Sequence, residues 1–294
     1  MKRVLNFGSI NVDHVYIVEH FVRPGETLSC QEYRRFAGGK GLNQSIALAQ
    51  AGACVYHAGK VGEADTWLKA LMEDKGVDTG FVETIDGPSG HAIIQVNAAG
   101  ENCIVIVGGA NQLISEADIE RIITNFGADD YLLVQNEVNA VPRIIQSAKA
   151  KGLTIVFNPA PMTPQVLSYP LDLVNILIVN ETEAHALTGE SAPESIYKTF
   201  NQRYPYMALV LTRGQNGADY FSPQTRFHQP VERVHVVDST GAGDTFIGFF
   251  LAKLINTNNP KAALTYASRA AAICVTRHGA ANSIPSRQEL DAQQ

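Results

Sequence analysis

The chain has 294 residues, 45% hydrophobic and 18% charged, with 23 basic against 29 acidic residues and a net charge of −6. That composition carries enough apolar material for a large core, too much for disorder, and the wrong charge for a nucleic-acid scaffold. No apolar run approaches the roughly 18 residues of a membrane span. Cys30, Cys54, Cys103 and Cys274 are scattered, which predicts a reduced, cytoplasmic protein with neither a zinc motif nor a disulfide framework. The start turns polar at Asn6, Ser9 and Asn11, so it reads as mature protein rather than as a secretory signal.

Short β-branched runs alternate with helical stretches. Val4–Gly8, Cys54–Ala58, Tyr131–Gln135, Leu153–Phe157, Ile176–Val179 and Ala208–Thr212 read as buried strands. Leu42–Ala51, Trp67–Glu73, Ser115–Asn125, Val141–Lys151 and Glu181–Leu187 read as helices. This rhythm predicts an α/β fold with a parallel sheet covered on both faces. His14–Val18 and Tyr33–Phe36 flank a turn-rich stretch, and His91–Asn97 with Asn102–Val107 reads as a hairpin turning at Gly100. Together they could form a small antiparallel sheet of about 12–36 and 89–107, shaped as a lid, or be ordinary surface strands; either way the chain reads as a single domain spanning 1–294. Further on, Ala218–Phe221, Phe227–Gln229 and Val234–Val237 look like antiparallel strands, followed by long helices at Gly241–Ile255 and Lys261–Thr276.

Asp238-Ser239-Thr240-Gly241-Ala242-Gly243-Asp244 follows a predicted strand and opens a helix. Glycines at a helix start let a ligand approach unpaired N–H groups at the positive end of the helix dipole, which suits a phosphoryl group. Asp244 beside such an anion hole makes sense if it accepts a proton from an attacking hydroxyl, although aspartate in a first helical turn is also a common cap. Ala37-Gly38-Gly39-Lys40-Gly41-Leu42-Asn43-Gln44 opens another helix but lacks Walker P-loop spacing; it reads as a surface for a polar substrate or as a tight turn. Asn11 and Asp13, two apart after the first strand, point to one side and could hold neighbouring hydroxyls, or form an Asx turn. Glu137, Asn180 with Glu183, and the loop Thr212–Gly217 lie at further strand ends. Asn180 and Glu183 could hold Mg²⁺ through water or simply complement the dipole. No Gly-x-Ser-x-Gly elbow and no Gly-x-Gly-x-x-Gly after the first strand is present, which disfavours a serine hydrolase and a Rossmann dehydrogenase.

In these motifs the chain resembles the ribokinase-like (PfkB) carbohydrate kinases over nearly its whole length, with the ribokinase branch matched further by Gly8–Asn11, Asp13-His14, Pro24–Thr27, Asn158–Pro161 and Val275–Arg277. The resemblance implies a three-layer α/β/α sandwich with a β lid and ATP-dependent phosphorylation of a pentose primary hydroxyl, D-ribose at O5. Alternatives are another furanose or a nucleoside and, remotely, a non-catalytic sensor. It implies Asp244 as the base, with Gly241, Ala242 and Gly243 amides as the anion hole. Sugar contacts would be Asn11, Asp13, Gly39, Lys40, Asn43, Ala92, Ile104 and Glu137. Asn180, Thr212, Gly214, Gly217, Gly243 and Ser268 would meet the nucleotide, and Asn180 and Glu183 Mg²⁺. A monovalent cation, K⁺, would sit at Asp238, Thr240, Cys274, Arg277, Gly279 and Ser283. His91, Val107 and Asn136 depart from the family pattern and are expected to reshape the sugar pocket. A homodimer joined through the lids is also implied, with neither nucleic acid nor membrane as partner.

Overall fold

A computed structural model describes residues 2–292. Strands are numbered β1–β13 and helices α1–α9 in chain order. Nine strands build the main sheet: β1 (Arg3–Phe7), β4 (Cys54–Gly62), β5 (Asp78–Ile85), β8 (Tyr131–Gln135), β9 (Thr154–Asn158), β10 (Ile176–Asn180), β11 (Ala208–Thr212), β12 (Ala218–Phe221) and β13 (Arg226–Gln229). Their order is β13-β12-β11-β10-β9-β8-β1-β4-β5. All neighbours from β11 to β5 run parallel, while β12 and β13 are antiparallel additions at one edge.

The strands are apolar on both faces because helices cover both. Val4, Leu133, Val156 and Ile178 face a core formed with α1 (Lys40–Gln50), α2 (Trp67–Asp74), α7 (Ala242–Thr257) and α8 (Pro260–Cys274). Their strand neighbours Leu5, Leu132, Ile155 and Leu177 face a second core with α3 (Glu116–Ile123), α4 (Val141–Ala150), α5 (Glu181–Thr188) and α6 (Pro193–Arg203). The period-2 alternation of a strand between two cores produces this three-layer sandwich. Each fully buried aliphatic or aromatic side chain contributes about 1.5–3 kcal/mol. No helix of the described residues is long and apolar enough to cross a membrane.

A second sheet, ordered β3-β2-β6-β7, consists of β2 (Asn11–Ile17), β3 (Glu32–Gly38), β6 (Gly90–Val96) and β7 (Asn102–Val107). The two regions expected to combine do so, but the sheet is mixed: β2 pairs antiparallel with β3 and parallel with β6. The two regions are separate excursions from the main sheet, and β2 and β6 both run outward, so they join in parallel. Asp13, Ala92 and Ile106 are cross-strand partners in one row and so share one face.

Val234–Val237 is not a strand. The sheet ends at β13, and these residues are exposed, with the Val237 and Asp238 amides donating to the Val275 carbonyl at 2.8 and 3.2 Å. Two elements had no clear pattern. The edge strand β5 carries Asp78, Gly80 and Glu83, and α6 anchors itself only through Ile196, Tyr197 and Phe200. The short α9 (Arg287–Asp291) likewise has a single buried residue, Leu290.

Helices α1 and α7, which carry the two glycine motifs, pack closely because Gly248 has no side chain; a Cβ there would collide with Ala47 and the Leu48 backbone. Gly248→Val is therefore expected to destabilise the fold by about 1–3 kcal/mol through overpacking, seen as a lower urea midpoint. An unchanged midpoint would show that the two helices can separate without loss.

Candidate active site

The carboxyl ends of β1, β8, β9, β10 and β11 open on one edge of the sheet, where the N-termini of α1 and α7 also arrive. Open α/β sheets place ligands there. Helix α7 begins at Gly241 in the left-handed region (φ 75°), with no side chain capping it. The Ala242 amide donates to the Ser239 carbonyl at 3.3 Å and Thr245 to the Gly241 carbonyl at 2.8 Å. The Gly241, Gly243 and Asp244 amides meet no acceptor among the described residues. Of the amides expected to meet an anion, Gly241 and Gly243 are unpaired and Ala242 is already spent; the Asp244 amide is the third unpaired donor at the positive end of this 16-residue helix.

Asp244 does not cap this helix. Its Oδ2 accepts from Asn43 Nδ2 at 3.0 Å and its Oδ1 from Gln44 Nε2 at 2.9 Å, both on α1. Burial raises its pKa above the ordinary aspartate value, against the pull of the Lys40 charge and of the Gln44 and Asn43 hydrogen bonds. Lys40 lines the same cleft. Burial disfavours its charge, but Asp244, Glu137, Glu183 and Asp13 together hold its pKa above the usual lysine value.

Around this pair the expected polar residues converge. Glu137 Oε2 accepts from Ser9 Oγ at 2.5 Å and from the Lys40 amide at 2.9 Å. Asn11 Oδ1 accepts from Asn111 Nδ2 at 2.6 Å, which leaves the Asn11 amide nitrogen free. Asn43 is 5% exposed, and its Oδ1 is buried without a hydrogen-bond partner. Burial, reinforced by Glu137 and opposed by Lys40, raises Asp13 to a pKa of about 6. Gly39 caps α1 beside Ser9 and Asn11. Ala92 lies in the Asp13 row; Ile104 shares that face one row further out, and Ile106 occupies the nearer place.

The three residues that depart from the family pattern do not enter this pocket as expected. His91 and Val107 pair with each other and with Val12, so they fall on the opposite face of the small sheet. Asn136 turns away, donating to the Pro161 carbonyl at 2.7 Å and accepting from Tyr169 Oη at 2.9 Å. Conversely, Ser9, Gln44, Asn111, Gln135 and Asn158 were not singled out, yet each hydrogen-bonds a site residue or the next amide behind it. Ser9 and Gln44 belong to the motif strings themselves. Asn158 opens the string Asn158–Pro161, while Asn111 and Gln135 are polar residues in or beside apolar runs, the only sequence signal for those two.

Along the cleft away from the small sheet lie Asn180, Glu183, Thr212 and Gly243. Asn180 and Glu183 form a reciprocal cap: Asn180 Oδ1 accepts from the Glu183 amide at 2.8 Å, and Glu183 Oε2 from the Asn180 amide at 3.0 Å. The pair thus complements the start of α5, and the second Glu183 oxygen is uncommitted within the cap. Burial raises the Glu183 pKa. No group of three His, Cys, Asp or Glu side chains suited to a metal forms among the described residues. That fits Mg²⁺, which keeps its waters and binds one or two carboxylates plus substrate phosphates. Gly214 and Gly217 bracket a tight loop closed by the Arg213 amide on the Gly217 carbonyl at 2.8 Å. Ser268 is buried on α8 and outside the cleft lining.

Asp238, Thr240, Cys274, Gly279 and Ser283 gather beside the start of α7. Asp238 Oδ1 accepts from the Thr240 amide and hydroxyl at 2.9 and 2.6 Å, and Oδ2 from the Gly279 amide at 2.9 Å. Burial pushes the Asp238 pKa up, but these hydrogen bonds and His278 outweigh it and keep the carboxylate ionised. Cys274 Sγ contacts Ser283 Oγ at 3.0 Å and the Thr240 carbonyl at 3.9 Å. The Arg277 guanidinium is committed to Glu289 at 2.6 Å. A carboxylate among loop carbonyls is a hard-oxygen donor set and fits an alkali cation.

Residues 1–287 match the model of the pfkB family carbohydrate kinases. Over 98% of this chain and 97% of the relative, it is 36% identical to a ribokinase of Haemophilus influenzae, and over 99% of each it is 34% identical to one of Staphylococcus aureus. The structure of Arabidopsis thaliana ribokinase complexed with ribose and ATP superimposes with a TM-score of 0.88 at 30% identity, covering 99% of this chain and 97% of the other. Glycine-built amides, a buried aspartate held from a neighbouring helix and full-length similarity agree: the chain belongs to the pfkB family of carbohydrate kinases.

Proposed function

We propose that the chain transfers the γ-phosphoryl group of ATP to the primary hydroxyl of a pentose, D-ribose at O5, giving D-ribose 5-phosphate and ADP. One observation carries this reading: the Asp244 carboxylate is held by α1 at the mouth of the unpaired α7 amides, instead of capping its own helix. Full-length similarity to ribokinases supports ribose as the acceptor.

The sugar lies against Asn11, Asp13, Gly39, Lys40, Asn43 and Glu137, with Ala92 and Ile104 as the apolar wall. The buried, unpartnered Asn43 Oδ1 is satisfied when a sugar hydroxyl donates to it. ATP extends past Asn180, Thr212, Gly214 and Gly217, with Ser268 towards the adenine, and its γ-phosphate rests on the Gly243 end of α7. Asp244 takes the proton of the attacking hydroxyl as the new O–P bond forms. The bond to the β-phosphate oxygen breaks, and its electron pair leaves with ADP. The unpaired amides hold the charge on the transferring group, and each such donor is worth about 3 kcal/mol. Asn180 and Glu183 would hold Mg²⁺ through water, and the loop of Asp238, Thr240, Cys274, Arg277, Gly279 and Ser283 would hold K⁺; both ions, when bound, neutralise phosphoryl charge.

The small sheet acts as a lid that excludes water, which would otherwise hydrolyse ATP. Its outer strand exposes Ile104, Val105 and Ile106 at 49, 58 and 60%. That apolar edge supports a homodimer joined through the lids. The unpaired cysteines suit a reducing cytoplasm.

Coupled ADP-release assays over pentoses, hexoses and nucleosides, with and without K⁺, test the substrate; turnover with a nucleoside and none with ribose would overturn it. Asp244→Asn is expected to cut kcat by at least ~10² with sugar binding kept, and near-normal turnover would remove Asp244 as the base. Asp13 with a pKa of about 6 binds hydroxyls best as a carboxylate. Sugar affinity is therefore expected to weaken as pH falls through that value, by calorimetric titration, and Asp13→Asn to flatten the dependence. A flat wild-type profile would show that its charge plays no part.

A further inference from the structure

Behind Asp244 lies a row of four buried amide side chains: Asn6 on β1, Gln135 on β8, Gln44 on α1 and Asn158 on β9. The two ends of an amide are nearly alike in shape, so the direction of each is set by its partners. Here both termini of the row are backbone carbonyls, which only accept. Asn6 Nδ2 donates to the Gly41 carbonyl at 2.8 Å, which leaves its Oδ1 to accept from Gln135 Nε2 at 3.0 Å. Gln135 Nε2 also donates to Gln44 Oε1 at 2.7 Å.

From the other end, Asn158 Nδ2 donates to the Ile178 carbonyl at 3.0 Å, so its Oδ1 accepts from Gln44 Nε2 at 3.2 Å. The two constraints agree. Gln44 is held with its oxygen towards Gln135 and its N–H₂ towards Asn158 and Asp244 Oδ1. Gln135 Oε1 is left buried without a partner, a smaller cost than flipping the amide, which would set that oxygen against Asn6 Oδ1 and Gln44 Oε1.

We infer that Gln44 is a positioning residue for Asp244, and that Gln135, which does not touch Asp244, acts at one remove by holding Gln44 donor-first. The role of Asp244 as the base rests on the kinase reading above; the hydrogen-bonded row does not. Two donors on two oxygens, Gln44 on Oδ1 and Asn43 on Oδ2, fix the plane of the carboxylate. Lys40 from the start of α1, Glu137 after β8 and Glu183 on α5 also act on its charge. Gln44 differs from them in being aimed at one oxygen from the protein side, where no substrate enters.

The test is a ¹³Cγ-aspartate NMR titration of the ligand-free full chain, with the Asp244 signal assigned by its loss in Asp244→Asn. Gln44→Met removes the donor and is expected to raise the Asp244 midpoint by about one unit, a tenfold gain in proton affinity. Gln135→Met keeps every contact of Asp244, yet is expected to move the midpoint the same way by a smaller step, because Gln44 Oε1 loses its donor. In turnover the acid limb of kcat shifts with the midpoint while KM for the sugar stays unchanged, which a general loss of packing would not produce. An unmoved midpoint in Gln44→Met overturns the inference, and movement there with none in Gln135→Met overturns the action at one remove. Should Gln44→Met fail to fold, Gln135→Met decides alone. The midpoint needs no turnover, so absence of sugar phosphorylation by the wild type would refute the kinase reading and leave this test standing.

Discussion

A carboxylate beside the positive end of a helix would ordinarily satisfy that helix's own amides. Everything at this site depends on Asp244 being prevented from doing so. Asn43 and Gln44 of α1 take its two oxygens, which leaves the α7 amides unpaired. Unpaired amides are costly unless an anion or water meets them, and a desolvated carboxylate is costly unless donors surround it. The two costs are met by different partners, one inside the protein and one outside it. That division separates the carboxylate from the unpaired amides, although both belong to one helical turn.

The arrangement requires α1 and α7 to be fixed relative to each other, and the core supplies this. Leu42, Ile46 and Leu48 of α1 pack in one continuous cluster with Phe246, Phe249 and Phe250 of α7. Hydrophobic burial without directional preference thus brings together two N-termini that are about 200 residues apart, as the Asn43–Asp244 hydrogen bond spans 201 positions. The parallel sheet does the same for Glu137, Asn158, Asn180 and Thr212, which fall on one edge because their strands run the same way.

How much of this could be read beforehand follows from the physics of each part. The buried strands were legible because a strand between two cores must be apolar throughout, and Tyr131–Gln135 and Ala208–Thr212 begin and end where expected. Strand β5 was not, since an edge strand tolerates the polar residues that blur its alternation. Val234–Val237 misled for the opposite reason: β-branched residues favour extended backbone whether or not a partner strand exists. The glycine motifs singled out Lys40, Asn43 and Asp244, which the structure brings to one cleft. The amides behind them were less visible. Asn6 and Gln135 are single polar residues in apolar runs, Asn158 stood only within a quoted string, and only tertiary contact distinguishes a hydrogen-bonded row from isolated polar groups.

Strand β2 is continuous from Asn11 to Ile17, buried at its first two residues and half-open beyond them. It pairs over that whole length with both β3 and β6. Its root therefore lies among the polar residues of the cleft while its tip belongs to the small sheet. No hinge or loop interrupts the run between them, so the side chains of Asn11 and Asp13 and the half-open end of the sheet share one unbroken backbone. The small sheet is in this sense an outgrowth of the cleft wall and not an appendage tied to it.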